Sequence, residues 1–363
     1  MALSLDATLA AAQNSLSRKP LCEIVSGQFS DPIPFDGQYF NTSVSGETGP
    51  SMIYLSDGRL ASIHAKEEGS WEKDRMVYLY SDAERTQWYN TEIYDASPAY
   101  NIEGKSLVEL SDGNIGVVWF EDYISGVGSD LLKCMTITKT GDVVNAASTI
   151  ASYDESLYLA DNPQVIDLSG EYQMVYSHSE ITKHDGTGEF HIMKRTSSDF
   201  TTWGGEVEIS IGGTSGEIYR KDNPFVFAPN VGNTLLMYDY VDDFQEDGSE
   251  IVNIYKAEST DLGNIWGSGE VVTSEDVFGS GAEHPEVDTT DTDALYLTYH
   301  QELAALHIDQ TSNGFCCSNT VYCGSGTCTS VGPTDLHFDP VTRRLYAYYI
   351  YNYVGHKVLC SIQ

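Results

Sequence analysis

Carboxylates crowd a few short stretches of this chain, and paired carboxylates are the tools of glycoside hydrolysis. Glu67 and Glu68 stand in KEEGSWEKD beside Trp71, Glu121 and Asp122 open EDYISGVGSD, and Asp242 and Asp243 lie in DYVDDFQEDGSE. His178 with Glu180 (HSE) and His300 with Glu302 (HQE) add a histidine to each acid, and Arg220 closes the stretch GGTSGEIYR. Two carboxylates facing each other across a cleft suffice as acid and as base or nucleophile. With so many present, no single pair stands out, and solvated loop charge is the competing reading for most. The run holding Asp239, Asp242, Asp243, Glu246, Asp247 and Glu250 could take a hard cation such as Ca2+. Counted from Asp243, however, position twelve of an EF-hand loop falls on Ile254 instead of Glu, so no metal ligand and no cofactor is assigned.

The charge balance narrows the partners. Lys plus Arg number 19 and Asp plus Glu 54, a net of −35. Such a surface repels DNA, RNA and anionic membranes. No stretch is long and apolar enough for a membrane-spanning helix. The opening MALSLDATLAAAQNSLSRKP has no basic n-region and carries Asp6 early, so it reads as a poor signal peptide. Of seven cysteines, Cys316, Cys317, Cys323 and Cys328 cluster in CCSNTVYCGSGTC, a spacing that fits neither a CxxC pair nor a usual zinc site. Local disulfides and free thiols both remain open.

These residues need elements to hold them, and the chain supplies them by repetition. MIYLSDGRLASIHAKEE, from Met52, aligns with LVELSDGNIGVVWFEDY, from Leu107. Weaker copies are QVIDLSGEYQMVYSHSE, FVFAPNVGNTLLMYDYV, EVDTTDTDALYLTYHQE and LHFDPVTRRLYAYYIYN. Each reads strand, tight turn, strand. Leu60, Ile115, Tyr172, Leu235, Leu295 and Leu345 mark the second strands, with gaps of 55, 57, 63, 60 and 50 residues. A gap of that size holds about four strands, the period of a propeller. The spacing therefore predicts an all-β, six-bladed β-propeller of four-stranded antiparallel blades over residues 20–363. Its last unit is a strand short, and LCEIVSGQF near the N-terminus is the candidate to close the ring. The acidic stretches above then fall on the loops between second and third strands, at the propeller mouth. His64, Trp119, Tyr176, Tyr238, Tyr299 and Tyr349 recur near the end of strand two. They could stack on sugar rings, but packing between blades is the favoured reading.

One turn names the fold more closely. STDLGNIW places Ser259, Asp261, Gly263 and Trp266 at the intervals Ser-x-Asp-x-Gly-x-x-Trp between strand-like runs. Asp261 can cap the amides of its own turn, Gly263 can take a positive φ, and Trp266 can pack on the sheet. The spacing resembles the Asp-box, or BNR repeat, of sialidase-like propellers, where it is a structural turn away from the catalytic centre. SDAERTQW and SSDFTTW keep Asp and Trp at altered spacing. The sialidase resemblance implies an arginine triad for a sugar carboxylate, a Tyr nucleophile paired with Glu, and an Asp acid. Here only Arg75 and Arg220 could reach the mouth, and the family's Arg-Ile-Pro motif is missing, so sialidase activity is not expected.

Residues 1–19 read as a short helix broken at Pro20, and the AAQ…SRKP run resembles the opening of tailed-phage structural proteins. That resemblance implies a virion structural protein of a tailed virus, docked on other virion proteins through residues 1–19. A host-surface glycan and further copies of the chain are its remaining partners. The alternatives are a glycoside hydrolase of sialidase-like fold and a secreted, non-catalytic lectin-like module. Fold alone does not choose among them.

Overall fold

The computed structural model describes residues 51–67, 74–83, 87–123, 128–154, 158–180, 190–211, 221–230, 233–244, 250–273, 280–289, 295–301, 305–310, 318–322, 331–339, 344–351 and 360–361, with the backbone alone from residue 280 onward. Every regular element among them is a β-strand. The first sheet runs β1 (Ser51–Tyr54), β2 (Leu60–Glu67), β3 (Asp74–Ser81), β4 (Trp88–Asp95). The second runs β5 (Tyr100–Glu109), β6 (Ile115–Tyr123), β7 (Ser129–Ile137), β8 (Val143–Asp154). The third holds β9 (Tyr158–Asp167), β10 (Tyr172–Glu180), β11 (Phe190–Ser197) and the short β12 (Val207–Glu208). All neighbours in these sheets are antiparallel.

The next two units share one eight-stranded sheet. β13 (Lys221–Asn230), β14 (Asn233–Phe244), β15 (Glu250–Ser259) and β16 (Glu270–Val271) form its first half. β17 (Ser280–Thr289), β18 (Leu295–Gln301), β19 (Ala305–Gln310) and β20 (Ser318–Tyr322) form the second, joined through a short parallel pairing of β15 with β17. The last sheet has three strands, β21 (Val331–Asp339), β22 (Arg344–Tyr351) and β23 (Cys360–Ser361). The closing strand expected from the N-terminus and the helix expected over residues 1–19 both lie outside the described residues.

The tight turns explain why the strands reverse where they do. In LSDGR, Leu55 N donates to Arg59 O at 2.8 Å and Gly58 N to Leu55 O at 2.9 Å, with Gly58 at φ 90°. LSDGN repeats this, with Leu110 N to Asn114 O at 2.8 Å and Gly113 at φ 82°. A side chain would resist that left-handed backbone, which is why Gly ends both Ser-Asp-Gly turns.

The first strands of successive units touch in a closed circuit: β1 meets β5, then β9, β13, β17 and β21, which returns to β1. Between consecutive sheets lie the hydrophobic cores. Ile63, Tyr78, Ile102, Trp119 and Met135 fill the seam of the first two sheets. Phe120, Leu132, Tyr153, Met174, Tyr176 and Phe200 fill the next, and Val175, Ile192, Leu236, Tyr238 and Trp266 the one after. Strand two is therefore buried on both faces, and Trp119, Tyr176 and Tyr238 are fully buried packing groups as favoured from sequence. His64 joins them, its Nε2 within 2.8 Å of Ser62 Oγ.

Candidate functional site

Each described first strand after β1 breaks register in its first half, in four of the five strands at a proline. The pairing slips at Gly104 in β5, at Asn162–Pro163 in β9 and at Asn223–Pro224 in β13. It slips again at His284–Pro285 in β17 and at Gly332–Pro333 in β21. Proline has no N–H to give to a ladder, so a bulge is where a strand tolerates it. Gly104, Asn162 and Asn223 hold φ of 30°, 52° and 46°. That left-handed region is costly for residues with a Cβ and least costly for Asn after Gly.

Immediately before four of these bulges stands an acid: Glu103, Asp161, Asp222 and Glu283. Their register partners are Phe120, Ser177, Asp239 and His300, all in the later half of strand two. The four acids therefore sit on adjacent strands around the closed circuit, at the end where strands two and three connect. Glu103 and Asp161 are half-buried, so solvent reaches both.

The strands approach closely at this level. A Cβ on Gly104 would lie 2.7 Å from Asn162 N and from Pro163 Cδ, so only glycine fits. Asn162 N donates to Asp161 Oδ1 at 2.6 Å. Asn162 Nδ2 donates to Asn223 Oδ1, and Asn223 Nδ2 donates to Asp239 Oδ2 at 2.5 Å. Asp239 is buried. Next to the bulges, Val165 N donates to Ser106 Oγ at 3.1 Å, and Ser106 Oγ donates to Gln164 Oε1 at 3.2 Å, tying β5 to β9.

A second polar cluster lies in the seam between the second and third sheets. Glu206 Oε2 accepts from Tyr153 OH at 2.6 Å, Tyr176 OH at 2.8 Å and Arg195 NH2 at 3.2 Å. Its Oε1 meets His178 Nδ1 at 2.7 Å. Burial pushes the Glu206 carboxyl up, but the hydrogen bonds from His178, Tyr153 and Tyr176 outweigh it and hold the group at about 2. Burial raises Tyr153 to about 12 and Tyr176 further still. The residue types match a Tyr–Glu–Arg catalytic set, yet Tyr176 has no exposed surface and both tyrosines keep their protons. This cluster locks two sheets together.

The mouth residues picked from sequence separate into three groups. Glu121 is not on a loop: it lies in β6, 1% exposed, paired with Lys133 at 2.9 Å, and Lys133 Nζ also donates to Tyr94 OH at 2.7 Å. Strand two simply runs further than the apolar pattern suggested, because a lysine on β7 lets the sheet bury an acid. His178 belongs to the seam cluster just described, and Asp122 pairs with Asn101 within the sheet. Glu67, Glu180, Asp242, Asp243 and His300 also fall within strands instead of loops. Glu68, Trp71, Arg220 and Glu302 lie outside the described residues, as do Glu246 and Asp247 of the stretch considered for Ca2+. Among the described residues no group of three or more His, Cys, Asp or Glu could hold a metal ion. Cys134 is a buried free thiol, and the other cysteine cluster lies outside them.

Among the described residues, Arg59, Arg75 and Arg195 are already engaged. Arg59 pairs with Asp57 at 2.7 Å and Arg75 with Glu92 at 2.9 Å. Arg195, placed near the opposite turns from sequence, does give NH1 to Gly204 O at 2.9 Å, but its other arm serves Glu206.

At that opposite end the turn after β15 makes the bonds its spacing suggested. Asp261 Oδ1 accepts from Asn264 N at 3.1 Å and Ile265 N at 2.8 Å, Ser259 Oγ from Gly263 N at 2.9 Å, and Trp266 Nε1 donates to Gly263 O at 3.1 Å. Asp199 does the same for Thr201 N and Thr202 N at 2.8 and 2.7 Å, one residue tighter. A groove of about 560 Å3 beside these turns is lined by Glu171, Lys194, Arg195, Glu208 and Trp266. Lys194 already donates to Gly263 O at 2.6 Å.

No protein-family model matches the chain, and no curated protein matches it in sequence. Solved structures do resemble it. The GH93 α-L-arabinofuranosidase of Fusarium graminearum, in complex with arabinobiose, superposes with a TM-score of 0.65 at 14% identity, over 93% of this chain and 98% of that one. The fold is that of the propeller-type glycosidases. The α-L-arabinanase of Penicillium chrysogenum, also with arabinobiose, gives 0.65 at 15% identity over 93% of this chain and 97% of that one. The Trypanosoma rangeli sialidase with sialic acid gives 0.55 at 11% identity, over 92% of this chain but 57% of the sialidase. The sialidase-like expectation thus holds at the level of fold. The likeness is one of fold, and it gives the virion reading no support.

Proposed function

We propose that the chain is a six-bladed propeller glycoside hydrolase whose catalytic carboxylates stand before the first-strand bulges. The single observation carrying this is the recurrence of Glu103, Asp161, Asp222 and Glu283 at one register level on neighbouring strands. Six blades are supported by the closed circuit of six first strands. Glycosidases need two carboxylates flanking one bond, and Glu103 and Asp161 stand beside a close approach of β5 and β9 at Gly104. An N–H donor stabilises the ionised form, so Asp161, bonded by Asn162 N, suits the base or nucleophile. Glu103 then serves as the acid.

Neutral oligosaccharides are the favoured substrates, since a chain of net −35 repels acidic sugars such as sialosides. Arabinobiose is the first to try, because it occupies two of the superposed glycosidases. The test is release of arabinose from arabinobiose and linear arabino-oligosaccharides, with a fluorogenic sialoside as the contrast. Turnover of the neutral sugars that Glu103→Gln removes supports the reading. Sialoside turnover with none on neutral sugars would overturn it.

A further inference from the structure

Two asparagines in left-handed backbone, one residue after an acid on adjacent strands, need an explanation. Asn162 and Asn223 are not turn residues; each sits inside a long strand, where glycine would relieve the strain at no steric cost. What glycine lacks is the amide, and both amides are used. Asn162 holds Asn223, and Asn223 holds the buried Asp239 on the strand beside its own. At the other end the backbone N–H of Asn162 reaches Asp161 Oδ1. The result is one hydrogen-bonded line from a half-exposed carboxylate to a buried one, crossing from one unit to the next.

We infer that Asn162 and Asn223 are positioning residues that fix the Asp161 carboxylate by anchoring it through Asp239. The left-handed turn at Asn162 aims its N–H back at Asp161, and the side-chain amide keeps that turn from relaxing. Asp239 can hold the line because a buried carboxylate is a strong acceptor that cannot exchange its donor for water. Prolines 163 and 224 follow each asparagine, removing a competing N–H where the ladder is broken.

Asn223→Gly tests this, since glycine keeps the positive φ and deletes the amide. The first readout is the Asn162 backbone amide proton in a nitrogen-15 correlation spectrum of the full chain, which should move upfield as its bond to Asp161 loosens. The second, which rests on the glycoside hydrolase reading, is kinetic: kcat should fall about tenfold or more while KM stays within about twofold. Asp239→Asn, which keeps the shape and removes the charge, should move both in the same direction by less. It also serves if the glycine variant does not fold. Asp261→Ala at the far turn should move neither. An Asn162 resonance unchanged in both variants overturns the positioning role, whatever the kinetics. Wild-type protein inactive on every glycoside would overturn the catalytic reading alone and leave the resonance to decide the positioning claim.

Discussion

Asp161 and Glu206 are both carboxylates at places where one unit of the propeller meets its neighbour, and their surroundings are opposite. Glu206 is surrounded by donors: two tyrosine hydroxyls, one arginine and one histidine. Its lone pairs are used and its proton is held off far below neutral pH. Asp161 lies half-exposed beside a strained backbone and takes a short bond from its own neighbour. A saturated carboxylate is an anchor. A carboxylate that solvent still reaches can exchange a proton or attack a carbon. Tyrosine, glutamate and arginine together do not make an active site when they are packed into a seam.

The largest expected effect on stability comes from removing the anchor. Glu206→Ala leaves one nitrogen of Arg195 and two buried hydroxyls without their carboxylate acceptor, at a cost of about 3–5 kcal/mol. Thermal unfolding should show it as a drop of several degrees, with KM unchanged in what remains folded. A midpoint within a degree of wild type would make the seam cluster incidental.

Acid should find the same anchor. The Glu206 carboxyl lies at about 2 in the fold against an ordinary 4.5. Since the folded value is the lower one, its contribution is complete above about pH 4.5 and is lost as pH falls towards 2. The loss amounts to about 3 kcal/mol. Denaturant midpoints measured between pH 5 and 2.5 should decline in wild type and decline less in Glu206→Gln.

At the axis, stability should respond more mildly. Gly104→Ala puts a methyl against the backbone of Asn162 and Pro163, and overpacking of this kind costs about 1–3 kcal/mol. Activity should suffer more than stability, because the displaced strand carries Asp161. Smallest of all, Asp261→Ala removes the acceptor for two exposed turn amides and should lower the midpoint only slightly, leaving catalysis intact.

The architecture was legible because turns and alternation are local. Ser-Asp-Gly at residues 56–58 and 111–113 announces a hairpin, and the spacing of second strands gives the unit length. The Ser259–Trp266 turn was legible for the same reason: every bond in it spans four residues or fewer. The proposed bulge acids were not, because acid density drew attention to the loops instead. In a chain of −35, a carboxylate on a loop carries little information. Glu121 shows the error, an acid that looks like loop and is buried in a strand by a lysine from its neighbour. A better signal was present: DNP at 161–163, DNP at 222–224 and EHP at 283–285 recur at the start of successive repeats. Proline argues against strand in an alternation reading, so these triplets pass for linkers until the bulges are seen.

The most direct test is the pair of isosteric variants Asp161→Asn and Glu103→Gln, assayed for arabinose release from arabinobiose beside the wild-type chain. With catalysis at the bulges, wild type cleaves, each variant loses about a thousandfold or more in kcat, and both melt within a few degrees of wild type. Cleavage that survives both substitutions, and falls instead in Glu206→Gln, would put the chemistry in the seam and contradict the assignment.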